Sequence, residues 1–157
     1  MWLLFISLPL FVVDQLTKWW IVDSYAQGEL GISVVPGFFH IVRVHNTGAA
    51  WGMFNGTAHS NIALSVVSGL ALVLLLVLWW KKAFTTIIGK LAAALLMAGI
   101  LGNLADRIAR QYVVDFLDFQ FGDYHFPTFN VADSCITVAA ALFLISAFLP
   151  EPKKACS

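Results

Sequence analysis

The sequence predicts an all-α membrane protein with a small β element outside the bilayer. Of its 157 residues, 60% are hydrophobic and only 11% are charged, and the mean hydropathy is +0.83. Ordinary soluble domains are about 45–50% apolar and about 25% charged. The apolar residues form four long runs, and the segments between them carry the Gly-rich and alternating patterns of turns and strands. We therefore expect four transmembrane helices and a short extracytoplasmic β-sheet, or cradle, in one integral domain over residues 1–157.

The four apolar runs predict spans at about residues 2–21, 62–80, 87–106 and 130–149. Each run has close to the 20 residues that a helix needs to cross a hydrocarbon core of about 30 Å. Lys81 and Lys82 close the second run, and Pro150 stops the fourth. These bounds leave two extracytoplasmic segments, at about 22–61 and 107–129.

The two extracytoplasmic segments have strand-like patterns. Residues 28–56 are rich in glycine, and alternation begins at Phe39, after a Pro-Gly pair that is typical of a turn. Residues 112–127 alternate more loosely, and Gly122-Asp123 is a candidate hairpin turn. We expect both segments to contribute short strands to one small sheet.

The span order brings the polar residues together at one membrane face, because consecutive spans run in opposite directions. The end of span one, the end of span three and the start of span four all meet there, and both extracytoplasmic segments leave from the same face. The polar residues at these three places are Asp14, Lys18, Asn103, Asp106, Arg107, Asn130 and Asp133.

Loop charge predicts which face is outside. The face opposite the polar cluster carries five basic residues and the cluster face carries four. By the positive-inside rule, both termini are then cytoplasmic and the polar cluster lies near the outer face.

A pair of carboxylates, Asp115 and Asp133, is the strongest chemical candidate. Asp115 follows span three, and Asp133 opens span four at the same depth. Taken singly, Asp133 could be a first-turn carboxylate that the helix dipole favours, and Asp115 could be an exposed strand residue. Taken together, two close carboxylates share one proton near neutral pH, so that one can activate water while the other polarises a carbonyl. This is the chemistry of metal-free peptide hydrolysis.

The surrounding polar residues have structural alternatives. Asp106 could form a plain ion pair with Arg107 at the end of a helix. Asp14 and Lys18 could pair at i, i+4, with the lysine extending outward to the interface. Asn46 could bind the substrate backbone or simply bond its own turn, which also contains Gly48.

Several other functions are disfavoured by composition. Formal net charge is zero, so no basic field indicates nucleic acid. The four histidines have no metal-binding spacing, and neither a metal nor a cofactor is expected. Cys135 and Cys156 would lie about 30 Å apart along a helix, too far for a disulfide. Ser134 has no His or Lys base on its own helix, which disfavours a dyad with Lys18.

Five motifs in order resemble the bacterial lipoprotein signal peptidase (type II signal peptidase) family over nearly the whole chain. They are Asp14-Gln-Leu-Thr-Lys18, Asn46-Thr-Gly-Ala-Ala-Trp-Gly52, Gly99-Ile-Leu-Gly-Asn-Leu-Ala-Asp-Arg107, Val113-Val-Asp-Phe116 and Phe129-Asn-Val-Ala-Asp133. The resemblance implies an intramembrane aspartyl endopeptidase of the bacterial cytoplasmic membrane. Its substrate would be a prolipoprotein, cut just before a cysteine that carries diacylglycerol.

The resemblance also implies roles for individual residues. Asp115 and Asp133 would be the catalytic pair. The supporting or substrate-binding residues would be Asp14, Lys18, Asn46, Gly48, Asn103, Asp106, Arg107 and Asn130. Membrane lipid is the other expected partner, and nothing in the sequence demands more than a monomer.

Two other functions compete with hydrolysis. A proton-coupled transporter or channel subunit also uses intramembrane carboxylates, although it would spread them through the depth of the bilayer. A non-catalytic scaffold would use the aspartates as helix caps, and replacing Asp115 or Asp133 would then leave any activity intact.

Overall fold

The computed structural model describes residues 2–48 and 58–148, which form four helices and four strands. In chain order the elements are α1 (Trp2–Ser24), β1 (Leu30–Val35), β2 (Phe39–Asn46), α2 (Ala58–Trp80), α3 (Ile87–Arg110), β3 (Val113–Phe121), β4 (Tyr124–His125) and α4 (Val131–Ala147). The mostly helical architecture with a small sheet is therefore confirmed.

Three of the helices, α1, α2 and α3, are long and apolar enough to cross a membrane. The α4 helix is also apolar but has 17 residues. Its predicted end at residue 149 lies outside the described residues, so the fourth span stays a prediction. The α2 helix is the least buried of the three long helices and exposes a large apolar surface suited to lipid.

Helix α3 is the centre of the bundle and packs against the other three helices. Small residues allow this close packing. A Cβ atom added at Gly99 would lie 2.5 Å from the carbonyl oxygen of Ala132 in α4, and one added at Gly102 would lie 2.5 Å from Oδ2 of Asp14 in α1. The two glycines thus let α3 approach both neighbours at the level of the polar cluster.

The four strands form one antiparallel sheet in the order β1-β2-β3-β4. Gly122, with φ +62°, lies in the turn between β3 and β4, where the hairpin turn is predicted. A register shift in β2 between Ile41 and Val44 places Val44 opposite Asp115.

A small apolar core fixes the sheet to the bundle. Ile21 near the end of α1 is buried together with Val114 and Phe116 of β3, and Val131 at the start of α4 packs against them. At the end of α3, Gln111 adopts the left-handed conformation (φ 67°) and donates its N–H to the Arg107 carbonyl, so the chain turns directly into β3. Asp115 is therefore held at the outer end of the helices.

Candidate active site

Asp115 is buried in β3, with 2% of its surface exposed. Its Oδ2 accepts a hydrogen bond from Asn46 Nδ2 at 3.0 Å, and its Oδ1 accepts one from Asn130 Nδ2 at 2.7 Å. Burial, and after it the charge of Asp133, raises the pKa of Asp115 to about 7 against the opposing effect of the two amides. The alternative that Asp115 is an exposed strand residue is wrong.

Asp133 lies in the first turn of α4 and forms a capping box with Asn130. The Asp133 N–H donates to Asn130 Oδ1 at 2.9 Å, and Asp133 Oδ2 accepts the Asn130 N–H at 3.3 Å. The other oxygen, Oδ1, accepts from Asn103 Nδ2 at 2.7 Å. Asp133 is thus a first-turn capping carboxylate with one oxygen turned toward α3.

Two side-chain amides join the carboxylates into one cluster. Besides Asp115, Asn130 Nδ2 donates to Asn103 Oδ1 and to the Val114 carbonyl, each at 3.3 Å. Asn103 and Asn130 therefore contact each other while each also holds one carboxylate. Among the described residues, neither Asp115 nor Asp133 has an ion pair within 4.0 Å.

Lys18 is fully buried beneath this cluster, at 0% exposure. Its Nζ lies 2.9 Å from Asp14 Oδ2 and 3.1 Å from Asp106 Oδ2, and it donates to Asn103 Oδ1 at 3.0 Å. The i, i+4 pairing with Asp14 is confirmed. The alternative in which Lys18 extends outward is wrong, because two buried carboxylates and an amide oxygen hold its ammonium inside.

The Lys18 ammonium also fixes the orientation of Asn103. An ammonium can only donate, so the oxygen of the amide must face Lys18 and the NH₂ group must face Asp133. The Lys18 ammonium thereby turns the NH₂ group of Asn103, a neutral hydrogen-bond donor, toward the Asp133 carboxylate.

Asp106 is paired, but not with Arg107 as the sequence suggests. Its partners are Lys18 and Arg110, and its Oδ2 also accepts the Val114 N–H at 3.2 Å. Arg110 is one turn further along the same helical face, whereas Arg107 is adjacent and projects elsewhere. Sequence reasoning missed Arg110, although its i+4 spacing from Asp106 was the available signal.

Asp14 joins α1 to α4. Its Oδ1 accepts the backbone N–H of Ala132 at 2.9 Å, and its Oδ2 accepts from Gln15 Nε2 at 3.0 Å. The first turn of α4 is consequently fixed by Asp14 from below and by Asn130 through its capping box. This arrangement determines where Asp133 points.

A cavity of about 710 Å³ lies against the carboxylate pair. Its polar lining includes Asp115, Asp133, Asn46, Gly48, Asn103 and Arg107. Much of the remaining wall is apolar and includes Val44, Phe126, Phe129, Ile136 and Val138. Sequence reasoning missed these apolar residues, because in a chain this hydrophobic an apolar side chain gives no signal of a site.

The cavity separates the predicted site residues into two groups. Asp14, Lys18 and Asp106 are buried in the bundle and do not line the cavity, while the other predicted residues either line it or, like Asn130, bond those that do. Gly48 donates its N–H to Asn46 Oδ1 at 3.0 Å, so Asn46 bonds its own turn and also holds Asp115. The continuation of that motif, residues 49–52, lies outside the described residues.

The cavity and the carboxylates lie at one end of a bundle of apolar helices, an arrangement typical of a membrane-embedded enzyme. The fold agrees with two solved structures, each of a bacterial membrane enzyme. One has a TM-score of 0.84 and 31% identity and covers 99% of this chain and 94% of its own. The other has a TM-score of 0.81 and 33% identity, with coverage of 93% and 92%.

Sequence comparison gives the family. The model of the signal peptidase (SPase) II family matches residues 6–149. The lipoprotein signal peptidase of Symbiobacterium thermophilum is 42% identical over 142 residues, covering 90% of this chain and 91% of the relative. That of Bacillus pumilus is 39% identical over 150 residues, covering 94% and 93%. The chain belongs to the signal peptidase II family, and it is a bacterial membrane protein of the peptidase class.

Proposed function

We propose that this protein is an aspartic endopeptidase that removes the signal peptide from diacylglyceryl-modified prolipoproteins, cutting before the lipidated cysteine. The observation that carries the proposal is a pair of carboxylates, buried Asp115 and partly buried Asp133, that line one cavity and are held by amides rather than by cations. The family relationship supports the same conclusion.

The mechanism needs one ionised and one protonated carboxyl group. The ionised member takes a proton from a water molecule, whose oxygen attacks the scissile carbonyl carbon. The protonated member donates to the carbonyl oxygen as the tetrahedral intermediate forms. As the intermediate collapses, the second carboxylate takes back a hydroxyl proton while the C=O re-forms. The C–N bond breaks, and the amine leaves with a proton from the first carboxyl group. The products are a free signal peptide carboxylate and the amino group of the lipidated cysteine.

The amides allow one carboxyl group to be ionised while the other stays protonated. Asn46 and Asn130 hold Asp115, and Asn103 holds Asp133, without adding a charge that would force both carboxyl groups to ionise. Arg107 lines the same cavity, where its guanidinium can bind a carbonyl oxygen of the substrate.

The substrate fits the surroundings of the pair. A lipidated cysteine stays in the membrane, so its peptide bond must be cut at the interface. The apolar cavity wall suits acyl chains and an apolar signal segment, and the carboxylates suit the peptide bond. We propose that both termini are cytoplasmic, that the site lies near the outer face of the bacterial inner membrane, and that the protein acts as a monomer among membrane lipids without a metal or cofactor.

The experiment compares cleavage of a prolipoprotein with and without diacylglycerol on its cysteine, by purified wild-type protein in the presence of a chelator. We expect cleavage only before the lipidated cysteine, and unchanged rates with the chelator. Asp133→Asn keeps the side-chain volume and removes the acid, so a folded variant should be inactive. Full activity of that variant would reject the two-aspartate mechanism. A wild-type protein that cuts neither substrate would favour the transporter or scaffold alternative.

A further inference from the structure

His45 lies on β2 immediately before Asn46, the residue that holds Asp115, and it lines the same cavity. The proposed mechanism does not use this side chain. It is an imidazole at the edge of a site whose other polar side chains are carboxylates, amides, hydroxyls and one guanidinium. The contacts of the ring determine what it can bind.

The ring of His45 is fixed from two sides. Its Nε2 accepts a hydrogen bond from Arg43 Nε at 3.1 Å, and its face stacks on Tyr112 with ring centroids 3.8 Å apart and planes 18° apart. Arg43 is itself anchored, because its Nη1 donates to the carbonyls of Val22 and Tyr25 at the end of α1, at 2.9 and 2.6 Å. The orientation of the imidazole is thus set before any ligand binds.

The hydrogen bond from Arg43 also sets the tautomer. A guanidinium can only donate, so Nε2 must present its lone pair and the proton of the neutral ring must lie on Nδ1. Burial, followed by the charge of Arg43, lowers the pKa of His45, which keeps the ring neutral. Among residues 2–48 and 58–148, no group accepts a hydrogen bond from Nδ1.

We propose that His45 is a substrate-binding residue, whose Nδ1–H donates to a main-chain carbonyl oxygen on the cysteine side of the scissile bond. The inference rests on the proposed function. The β2 strand belongs to the sheet beyond the membrane ends of the helices, where the mature part of a prolipoprotein must leave the bilayer. The neighbouring Arg43 charge makes this position attractive to an oxygen acceptor and unfavourable to a cation.

The test measures kcat and KM of the full-length protein on a diacylglyceryl-modified prolipoprotein. His45→Phe keeps a ring for stacking on Tyr112 but removes the donor, and His45→Gln restores an N–H donor. One neutral hydrogen bond corresponds to about a 2- to 10-fold effect on binding. We expect His45→Phe to raise KM by about that factor with kcat within 2-fold, and His45→Gln to recover at least half of the loss. His125→Phe, at an exposed histidine that does not line the cavity, is the matched control and should change neither constant.

A second arm identifies the acceptor. A substrate with an alkene in place of the first peptide bond after the cysteine lacks one carbonyl oxygen. If His45 binds that oxygen, this substrate loses affinity for wild type but not for His45→Phe. If the alkene weakens binding to wild type and to His45→Phe equally, His45 does not bind that oxygen and the main-chain assignment is overturned.

Two results would overturn the proposal as a whole. One is a folded His45→Phe protein with unchanged KM. The other is a fall in kcat alone, which would mean that His45 acts by positioning Asn46. Both are distinct from failure of the proposed function, since in that case wild type would not cut the lipidated substrate at all.

Discussion

The two pairs of aspartates near the outer ends of the helices differ in what surrounds them. Asp14 and Asp106 share the ammonium of Lys18, and Asp106 also pairs with Arg110. Asp115 and Asp133 lie one layer further out and receive their side-chain hydrogen bonds from asparagine amides. Only this second pair lines the cavity.

The difference shows how a membrane protein can keep four aspartates for two purposes. A buried carboxylate paired with a cation is held in place by that contact, and removing either partner leaves an uncompensated charge. A carboxylate held by amides keeps its position while its proton remains exchangeable. The inner group, Asp14 and Asp106, joins α1, α3 and α4, and the outer group, Asp115 and Asp133, is the one that the proposed mechanism uses.

Removing the Lys18 ammonium from Asp14 and Asp106 should lower stability more than a change in the outer group, Asp115 and Asp133. Lys18→Met leaves Asp14 and Asp106 buried without their shared ammonium, and loss of one partner of a buried ion pair costs about 3–5 kcal/mol. We expect the free energy of unfolding in mixed micelles to fall by about this amount, as measured by denaturant titration.

Two further variants sharpen that measurement. Lys18→Met combined with Asp14→Asn removes one charge of each sign and should recover part of the loss. Lys81→Met, at an exposed lysine on the opposite face, should leave stability unchanged. If all three variants were equally stable, the charged cluster would not hold the bundle together.

Asp115, in the outer group, should make the free energy of unfolding fall as the pH rises. The pKa of Asp115 is raised from 3.8 to about 7, so between these values the folded protein binds a proton that the unfolded chain releases. Its contribution to stability is complete below about pH 4 and is lost as the pH rises through 7. At 1.36 kcal/mol per unit of pKa, the loss is at most about 4 kcal/mol.

Asp115→Asn isolates this contribution, because asparagine does not titrate. The stability of the variant relative to wild type should rise between pH 4 and pH 8, measured by unfolding at each pH. A relative stability that stays constant over this range would mean that the folded environment does not favour protonated Asp115.

The fold was largely predictable because its main signals are local. Apolar runs set the helices, and the structure begins α3 at Ile87, as predicted, and ends α2 at Trp80. The alternating patterns predicted strands in both segments, and Gly122-Asp123 predicted the hairpin turn between β3 and β4. Helix ends differed by a few residues, since α3 continues four residues past its predicted end at 106, to Arg110, whose charge pairs with Asp106.

The site was predictable only in part. Convergence of Asp115 and Asp133 follows from the order of the spans, but their hydrogen-bond partners do not. The inward position of Lys18 depends on two carboxylates from different helices, and the stacking of His45 on Tyr112 depends on sheet register. Such contacts join residues far apart in the chain, and no local pattern records them.

The most direct test of the difference between the two groups compares Asp106→Asn with Asp115→Asn in the same two assays, thermal unfolding and cleavage of the lipidated prolipoprotein. We predict that Asp106→Asn lowers the unfolding temperature while its folded fraction cuts within about 10-fold of wild type. Asp115→Asn should remain as stable as wild type at pH 7 and lose at least about 100-fold in kcat, the lower range for loss of an acid–base group. A stable but inactive Asp106→Asn, or an active Asp115→Asn, would contradict the assignment of structure to one group and chemistry to the other.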